Sequence, residues 1–283
     1  MRQYKSTGVH YPSFVRPRNG EKHLGAALEC SPLFSDILPR ESAQIFAAGR
    51  AREFARGEVM YIEGDSVRQV LLLMSGLVKI TKLGPSGTEV ILRLGGPGDV
   101  LGAAAPFSNE THGTTAQAFR LCRALVWDAS VFQALVAPFP VLHRNMARIV
   151  GGHLLELEER FREMATEKVG PRVARQVVRL LEQIGRPVDG AVEISVSREE
   201  LAQMTGTTLF TVSRLFSAWE ALGFVKPRRE AVVIRNIESL RAIAKGDAVG
   251  SCDRVFLSRE CGHRIPNEVR PGIRGCIDSR PNQ

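Results

Sequence analysis

Residues 141 to 168 contain no proline, and no glycine after Gly152. Through them runs an apolar series, Ala147, Val150, Leu154, Leu157, Phe161 and Met164, spaced 3, 4, 3, 4, 3. That spacing holds the side chains on one stripe of a helix and makes a heptad seam. A stripe of this length has to be buried, either on the chain's own preceding residues or on a second copy in a parallel coiled coil. The coiled coil is the reading adopted, with Val150, Leu154, Leu157, Phe161 and Met164 as the homodimer interface.

The 283 residues provide for two domains at a prior of roughly 150 each. With 44% hydrophobic and 24% charged residues, the composition excludes a wholly disordered or fibrous chain. The longest apolar run is Val70 to Met74, far short of the ~18 residues of a membrane-spanning helix. The first 22 residues are polar and basic with no apolar core, so no secretory signal is expected and the cytoplasm is the default. Five cysteines, an odd number with no C-x-x-C pair, read as reduced thiols rather than a disulfide framework. The excess of 38 Lys plus Arg over 30 Asp plus Glu, a net charge of +8, favours a polyanionic partner over an acidic substrate.

Residues 1–23 hold Arg2, Lys5, Arg16, Arg18 and Lys22 against Glu21 and read as a flexible basic arm. A sensor domain is assigned to 24–140, beginning with short helices over Leu24 to Phe54, where Leu33, Phe34, Ile37, Leu38, Ile45 and Phe46 recur at helical spacing. From Glu53 to Asp128 short Val, Ile, Leu and Thr stretches alternate with glycines, among them Gly57, Gly64, Gly76, Gly84, Gly98 and Gly102. That pattern predicts an antiparallel jelly-roll barrel. Its clearest hairpin is expected at Ser75-Gly76, with Val78 and Ile80 facing one side and Lys79 and Thr81 the other. The glycines read as turns rather than phosphate cradles. Residues 141–168 form the dimerisation helix, 169–245 the next domain and 246–283 a disordered tail.

After Pro171 comes an amphipathic helix with Val173, Val177, Leu180, Leu181 and Ile184 on one face. Ser197 followed by Glu200 is a capping box. Leu201, Ala202 and Met204 make the inner face of the helix it starts, Gly206 supplies the turn, and Thr207 caps the next helix. That second helix is expected to bury Val212, Leu215, Phe216, Trp219 and Leu222 and to leave Thr208, Leu209, Phe210, Ser213 and Arg214 free at its N-terminal end. Such residues meet base edges in a helix-turn-helix. Arg214 suits guanine, and Leu209 or Phe210 suits the thymine methyl. Gly223 stops the helix, and a two-stranded wing carries Lys226, Arg228 and Arg229 toward phosphate. Ser197, Arg198, Thr207 and Thr211 complete the expected DNA-contacting set. The fold class is therefore α+β: a β jelly roll, a long helix and a winged helix-turn-helix.

Arg56 to Asp65 (RGEVMYIEGD), SGLVKI from Ser75, GDVLG from Gly98, the long helix and the Thr-Val-Ser-Arg at 211–214 together resemble the Crp/Fnr family of bacterial transcriptional regulators over roughly residues 24–245. The resemblance implies a cyclic-nucleotide-binding-like sensor, a homodimer, a palindromic double-stranded DNA operator, and RNA polymerase as a protein partner.

Departures from the family pattern bear on the effector. Ala103 follows Gly102 where cyclic-nucleotide-binding members have a ribose-binding Glu. Thr114-Thr115-Ala116 replaces the Arg-Ser or Arg-Thr pair that neutralises the cyclic phosphate. Leu157-Glu158 stands where polar helix residues meet the base. A buried monoanion without a cation costs several kcal/mol, so cyclic AMP is not expected to bind in the usual way; the effector, if any, is an unidentified small molecule. The candidate pocket is Gly102, Ala103, Thr114, Thr115, Leu157 and Glu158. Leu209-Phe210 replaces the Arg-Glu or Val-Glu of well-known members, which implies a different operator.

An iron-sulfur cluster needs four thiolates and only Cys30 and Cys122 are suitably placed. Cys252, Cys261, His263 and Cys276 in the tail match no common zinc spacing, so no cofactor or metal is expected. No HxH metal pair, G-x-S-x-G or Walker loop suggests an enzyme. The alternatives are a cyclic-nucleotide- or redox-responsive regulator of the same architecture, and a ligand-gated subunit that does not bind DNA.

Overall fold

The computed structural model describes residues 31–102 and 111–246. The expected basic arm, Cys30, Ala103 and the tail cysteines with His263 lie outside these residues.

A 3-10 turn at Pro32–Phe34 is capped by Ser31, whose hydroxyl also donates to the Gly98 carbonyl at 2.8 Å. Helix α1, Pro39–Ala47, follows. The barrel comprises β1 Arg50–Phe54, β2 Val59–Tyr61, β3 Gln69–Ser75, β4 Val78–Leu83, β5 Glu89–Gly95, β6 Val100–Leu101, β7 Thr115–Ala118 and β8 Cys122–Asp128. Next come α2 Ala129–Val136, α3 Pro140–Thr166 and α4 Val169–Ile184. The remainder is β9 Arg186–Val188, β10 Ala191–Ile194, α5 Arg198–Thr205, α6 Leu209–Ala221, β11 Val225–Pro227, β12 Val232–Ile234 and α7 Ile237–Lys245. The expected helical lead-in is shorter than its apolar spacing suggested, because β1 takes over at Arg50 and pairs with β8.

Two four-stranded antiparallel sheets face each other, in the orders β1-β8-β3-β6 and β2-β7-β4-β5. The expected Ser75-Gly76 hairpin is not formed. β3 pairs with β8 and β6, whereas β4 pairs with β5 and β7, so this connection carries the chain from one sheet to the other. Gly76 makes the corner with a φ of 92°, and a Cβ there would lie 2.3 Å from the Leu121 carbonyl oxygen. The unbroken apolar run of β3 has a physical reason: both of its faces are covered. Val70, Leu72 and Met74 pack with Leu33, Ile45, Trp127 and Phe132 on the helical side, while Leu71 and Leu73 fill the barrel with Phe54, Val78 and Ile80. The expected alternation in β4 also fails at its end. A bulge between Ile80 and Thr81 turns Thr81 into the interior.

The long helix α3 is held to the barrel by one face of its first turns. Leu142, Met146 and Ile149 join the helical-side core, and the buried Asn145 donates from Nδ2 to the carbonyls of Leu33 (2.8 Å) and Ser35 (2.7 Å). Val150, expected in the homodimer interface, instead packs half-buried against this core, and the rest of the seam leaves that face. Leu154 is 56% and Phe161 75% exposed, with Leu157 and Met164 exposed as well. Leu157, Phe161 and Met164 line a cleft with Val90 and Ile91 of β5 without being buried by it, and Leu154 stands clear of the barrel.

In the C-terminal half, α4 buries Val173, Val177, Leu180 and Ile184, with Leu181 only partly covered. Strands β9 and β10 turn at Asp189-Gly190, both with positive φ, a primed-turn pair. They join β11 and β12 in one sheet of order β11-β12-β10-β9, so the expected two-stranded wing is half of a four-stranded sheet. Helix α6 ends one residue before Leu222, which is 45% exposed rather than buried as expected. Gly223 (φ 75°) closes it: the Gly223 amide donates to Glu220 and the Phe224 amide to Trp219, a Schellman arrangement.

The joint between α3 and α4 is ionic. Glu163, buried on α3, accepts from both terminal nitrogens of Arg179 and lies 3.5 Å from Arg175 Nε. The buried Arg172 donates to carbonyls at the C-terminal ends of two helices: Met164 and Glu167 at the end of α3, Thr205 and Gly206 at the end of α5.

Candidate nucleic-acid interface

Backbone geometry sets the helix-turn-helix. The Ser197 hydroxyl accepts from the Glu200 amide at 3.1 Å and the Glu200 carboxylate accepts from the Ser197 amide at 2.7 Å, so the capping box is complete. Gly206 takes the left-handed conformation (φ 58°) that ends α5, and the Thr207 amide returns to the Ala202 carbonyl. The cap of α6 is Thr208 rather than Thr207: its hydroxyl accepts from the Thr211 amide at 3.1 Å. Val212, Leu215, Phe216 and Trp219 fix the inner face of α6, with the Phe216 and Trp219 ring centroids 5.7 Å apart.

The opposite end of α6 faces outward. Leu209 is 51% and Phe210 69% exposed, Thr208 is exposed, and Thr211, Ser213 and Arg214 are half-buried. The Arg214 guanidinium lies over the Phe210 ring at 5.8 Å. Lys226 is exposed on β11 and Arg229 in the turn that follows. Two arginines of the expected set are differently engaged. Arg228 forms an ion pair with Glu193 of β10, and Arg198 is half-buried with its Nε enclosed and unpartnered. Glu193 was not anticipated, although the Asp-Gly turn before it was a readable sign of the hairpin that carries it.

The candidate effector residues are only partly brought together. Burial pushes the Tyr61 phenol upward, with Thr114, Arg93 and the Gly102 backbone opposing the shift. Tyr61 stacks on His112 at 3.8 Å, and desolvation lowers the His112 imidazole. Thr115 accepts from the Glu63 amide at 3.0 Å. Arg93 acts on Tyr61 as a nearby cation and is already paired with Asp99 at 3.1 Å. Sequence reading missed Tyr61, Arg93 and His112, which only the fold collects. Leu157 lies instead in a cleft of about 170 Å³ with Val90, Ile91 and Met204, and Glu158 is exposed. The α3 residue within electrostatic reach of Arg93 is His153. Its imidazole is pushed down to about 4 by burial, with Arg93 adding to the shift and Glu156 opposing it. Among the described residues no cluster of His, Cys, Asp and Glu is arranged to hold a metal, and no helix is long and apolar enough to cross a membrane.

Residues 51–138 match the family model for a cyclic nucleotide-binding domain, and residues 171–243 match that for a Crp-like helix-turn-helix domain. The chain belongs to the Crp/Fnr family of transcriptional regulators. Among Crp/Fnr relatives it is 27% identical over 216 residues to the cyclic AMP receptor protein of Thermus thermophilus, covering 76% of this chain and 98% of the relative. It is 24% identical over 215 residues to the CRP-like cAMP-activated global transcriptional regulator of Mycobacterium tuberculosis, covering 75% and 96%. The fold is similar to that of the c-di-GMP responsive global regulator CLP of Xanthomonas campestris, with a TM-score of 0.63 at 20% identity over 69% of this chain and 98% of that one. As a Crp/Fnr regulator the protein is a DNA-binding transcription factor built on a helix-turn-helix.

Proposed function

We propose that the protein is a homodimer that binds a palindromic operator through the N-terminal end of α6. The observation that supports this reading is the conjunction of two exposed apolar surfaces: Leu209 and Phe210 at the outward end of α6, and the seam of α3. A seam with Leu154 and Phe161 in water is costly for a monomer, and a second copy covers it. A two-fold dimer then presents two copies of α6 to successive major grooves. Such a regulator acts by binding rather than catalysis, in the cytoplasm where the chromosome lies, with RNA polymerase as its protein partner.

In this reading the barrel is the sensor, but not one for cyclic AMP in the usual way. Thr114 offers no charge, and Arg93 is paired with Asp99. A cyclic phosphate arriving there would have to break that ion pair to gain a counter-charge.

Mobility shifts across a salt series test the DNA reading. Arg214→Ala should cost about 1 to 3 kcal/mol on the operator and little on scrambled duplex, as expected for base readout. Arg229→Ala should weaken both about equally and flatten the salt slope by roughly one ion. Arg229 is preferred to Arg228 for this role because Arg228 is held by Glu193. Equal, sequence-independent losses for both variants would defeat the assignment of Arg214.

A further inference from the structure

We propose that this protein selects its operator by the C5 methyl groups of pyrimidines, read by Leu209 and Phe210, with Phe210 seating Arg214 for a guanine close by. The inference rests on the reading that α6 enters the major groove. Leu209 and Phe210 are the first two residues of α6, and both stand largely in water although Val212 and Leu215, a few residues on, are buried. Neither side chain carries a hydrogen-bond donor or acceptor, so neither can read a purine edge. The one apolar mark a base pair shows in the major groove is the C5 methyl of thymine, which 5-methylcytosine shares. A purine or plain cytosine placed against the Phe210 ring would have its polar edge desolvated without a partner, which selects against it.

The occupant is a nucleic-acid groove rather than an apolar protein surface because of what surrounds the pair. Thr208 and Thr211 hydroxyls flank it on the helix, Lys226 and Arg229 stand exposed on the wing, and the Arg214 guanidinium lies over the Phe210 ring. An arginine four residues on stacks across one helical turn, and the ring restricts where its fork can point. Four residues rise about 6 Å along the helix, close to two base-pair steps of about 3.4 Å. The half-site should therefore hold a thymine within a base pair or two of a guanine.

Operator is first selected from random duplex DNA with the full-length protein. Each thymine is then replaced by uracil, which lacks only the methyl, and cytosine or 5-methylcytosine, paired with guanine, is placed at the sensitive position. One or two thymines per half-site should each lose roughly fourfold in affinity as uracil, the value of one buried methyl, and roughly fifteenfold when both half-sites are altered. 5-Methylcytosine should bind more tightly than cytosine at the same place. In a Leu209→Ala, Phe210→Ala variant, whose changes lie on the surface, the uracil effect should vanish, while a guanine substitution near it should still cost affinity through Arg214 but less than in the parent, because the Phe210 ring no longer seats the guanidinium. If an operator is selected and every uracil substitution is neutral, methyl readout is overturned and DNA binding stands. If no sequence is enriched, the underlying reading fails as well.

Discussion

Arg172 shows how much one side chain can hold when its surroundings exclude water. Its guanidinium meets carbonyls that α3 and α5 leave unpaired at their C-terminal ends, where partial negative charge gathers. Replacing it with alanine removes the donor and strands the acceptors, so Arg172→Ala should cost about 2 to 4 kcal/mol in urea unfolding. A loss below ~1 kcal/mol would mean that water replaces the arginine and the joint is open. His153 provides a second test at this scale. Burial depresses its imidazole from 6.5 to about 4, so the unfolded chain binds the proton more readily than the folded one. Its contribution is fully present above pH ~6.5 and is lost as pH falls toward 4. The midpoint of unfolding should drop over that window, and His153→Gln should remove part of the slope. An unchanged slope would place the imidazole in solvent. Neither role was legible in the sequence: the partners of both side chains include groups on other elements, and no local pattern announces such a meeting.

Among the elements, those specified locally were legible and those specified by topology were not. Ser197 with Glu200, the turn at Gly206 and the stop at Gly223 act on backbone within a few residues, so the helix-turn-helix could be read directly. Thr207 and Thr208 are chemically equal as caps, and the choice between them went to the one whose backbone is extended where α6 begins. Strand partners are another matter. Leu72 of β3 faces Leu125 of β8, not the neighbouring strand, because a jelly roll passes consecutive strands between sheets. A period-two pattern says that a strand exists and nothing of whom it pairs with. The seam of α3 was legible as a stripe, and the structure adds that Leu154 and Phe161 stand in water while Val150 packs on the barrel. Leu157→Lys or Phe161→Lys should therefore yield monomers in sedimentation without unfolding the barrel, since Leu142, Met146 and Ile149 anchor the helix independently. A fully dimeric Phe161→Lys protein would show that the interface lies elsewhere.

At the scale of the whole molecule, the barrel and the helix-turn-helix domain are joined through α3. One end of that helix is packed on the barrel by Leu142, Asn145 and Met146, and the other is tied by Glu163 and Met164 to α4 and the turn before α6. Helix α5 also packs against β5, and Glu230 of the wing turn reaches Arg56 of the barrel at 3.5 Å. That exposed pair adds little energy, but it records how near the reader stands to the sensor. Titration calorimetry with cyclic AMP should give weak or no heat, and micromolar binding that changes DNA affinity would show that Arg93 exchanges Asp99 for phosphate. The central claim, a two-fold dimer reading DNA through α6, is tested most directly by sequencing the duplexes that the full-length protein enriches from a random pool. The expected product is an inverted repeat whose half-sites are centred about one helical turn, ~34 Å, apart. Enrichment of a lone half-site, or of no sequence at all, would contradict it.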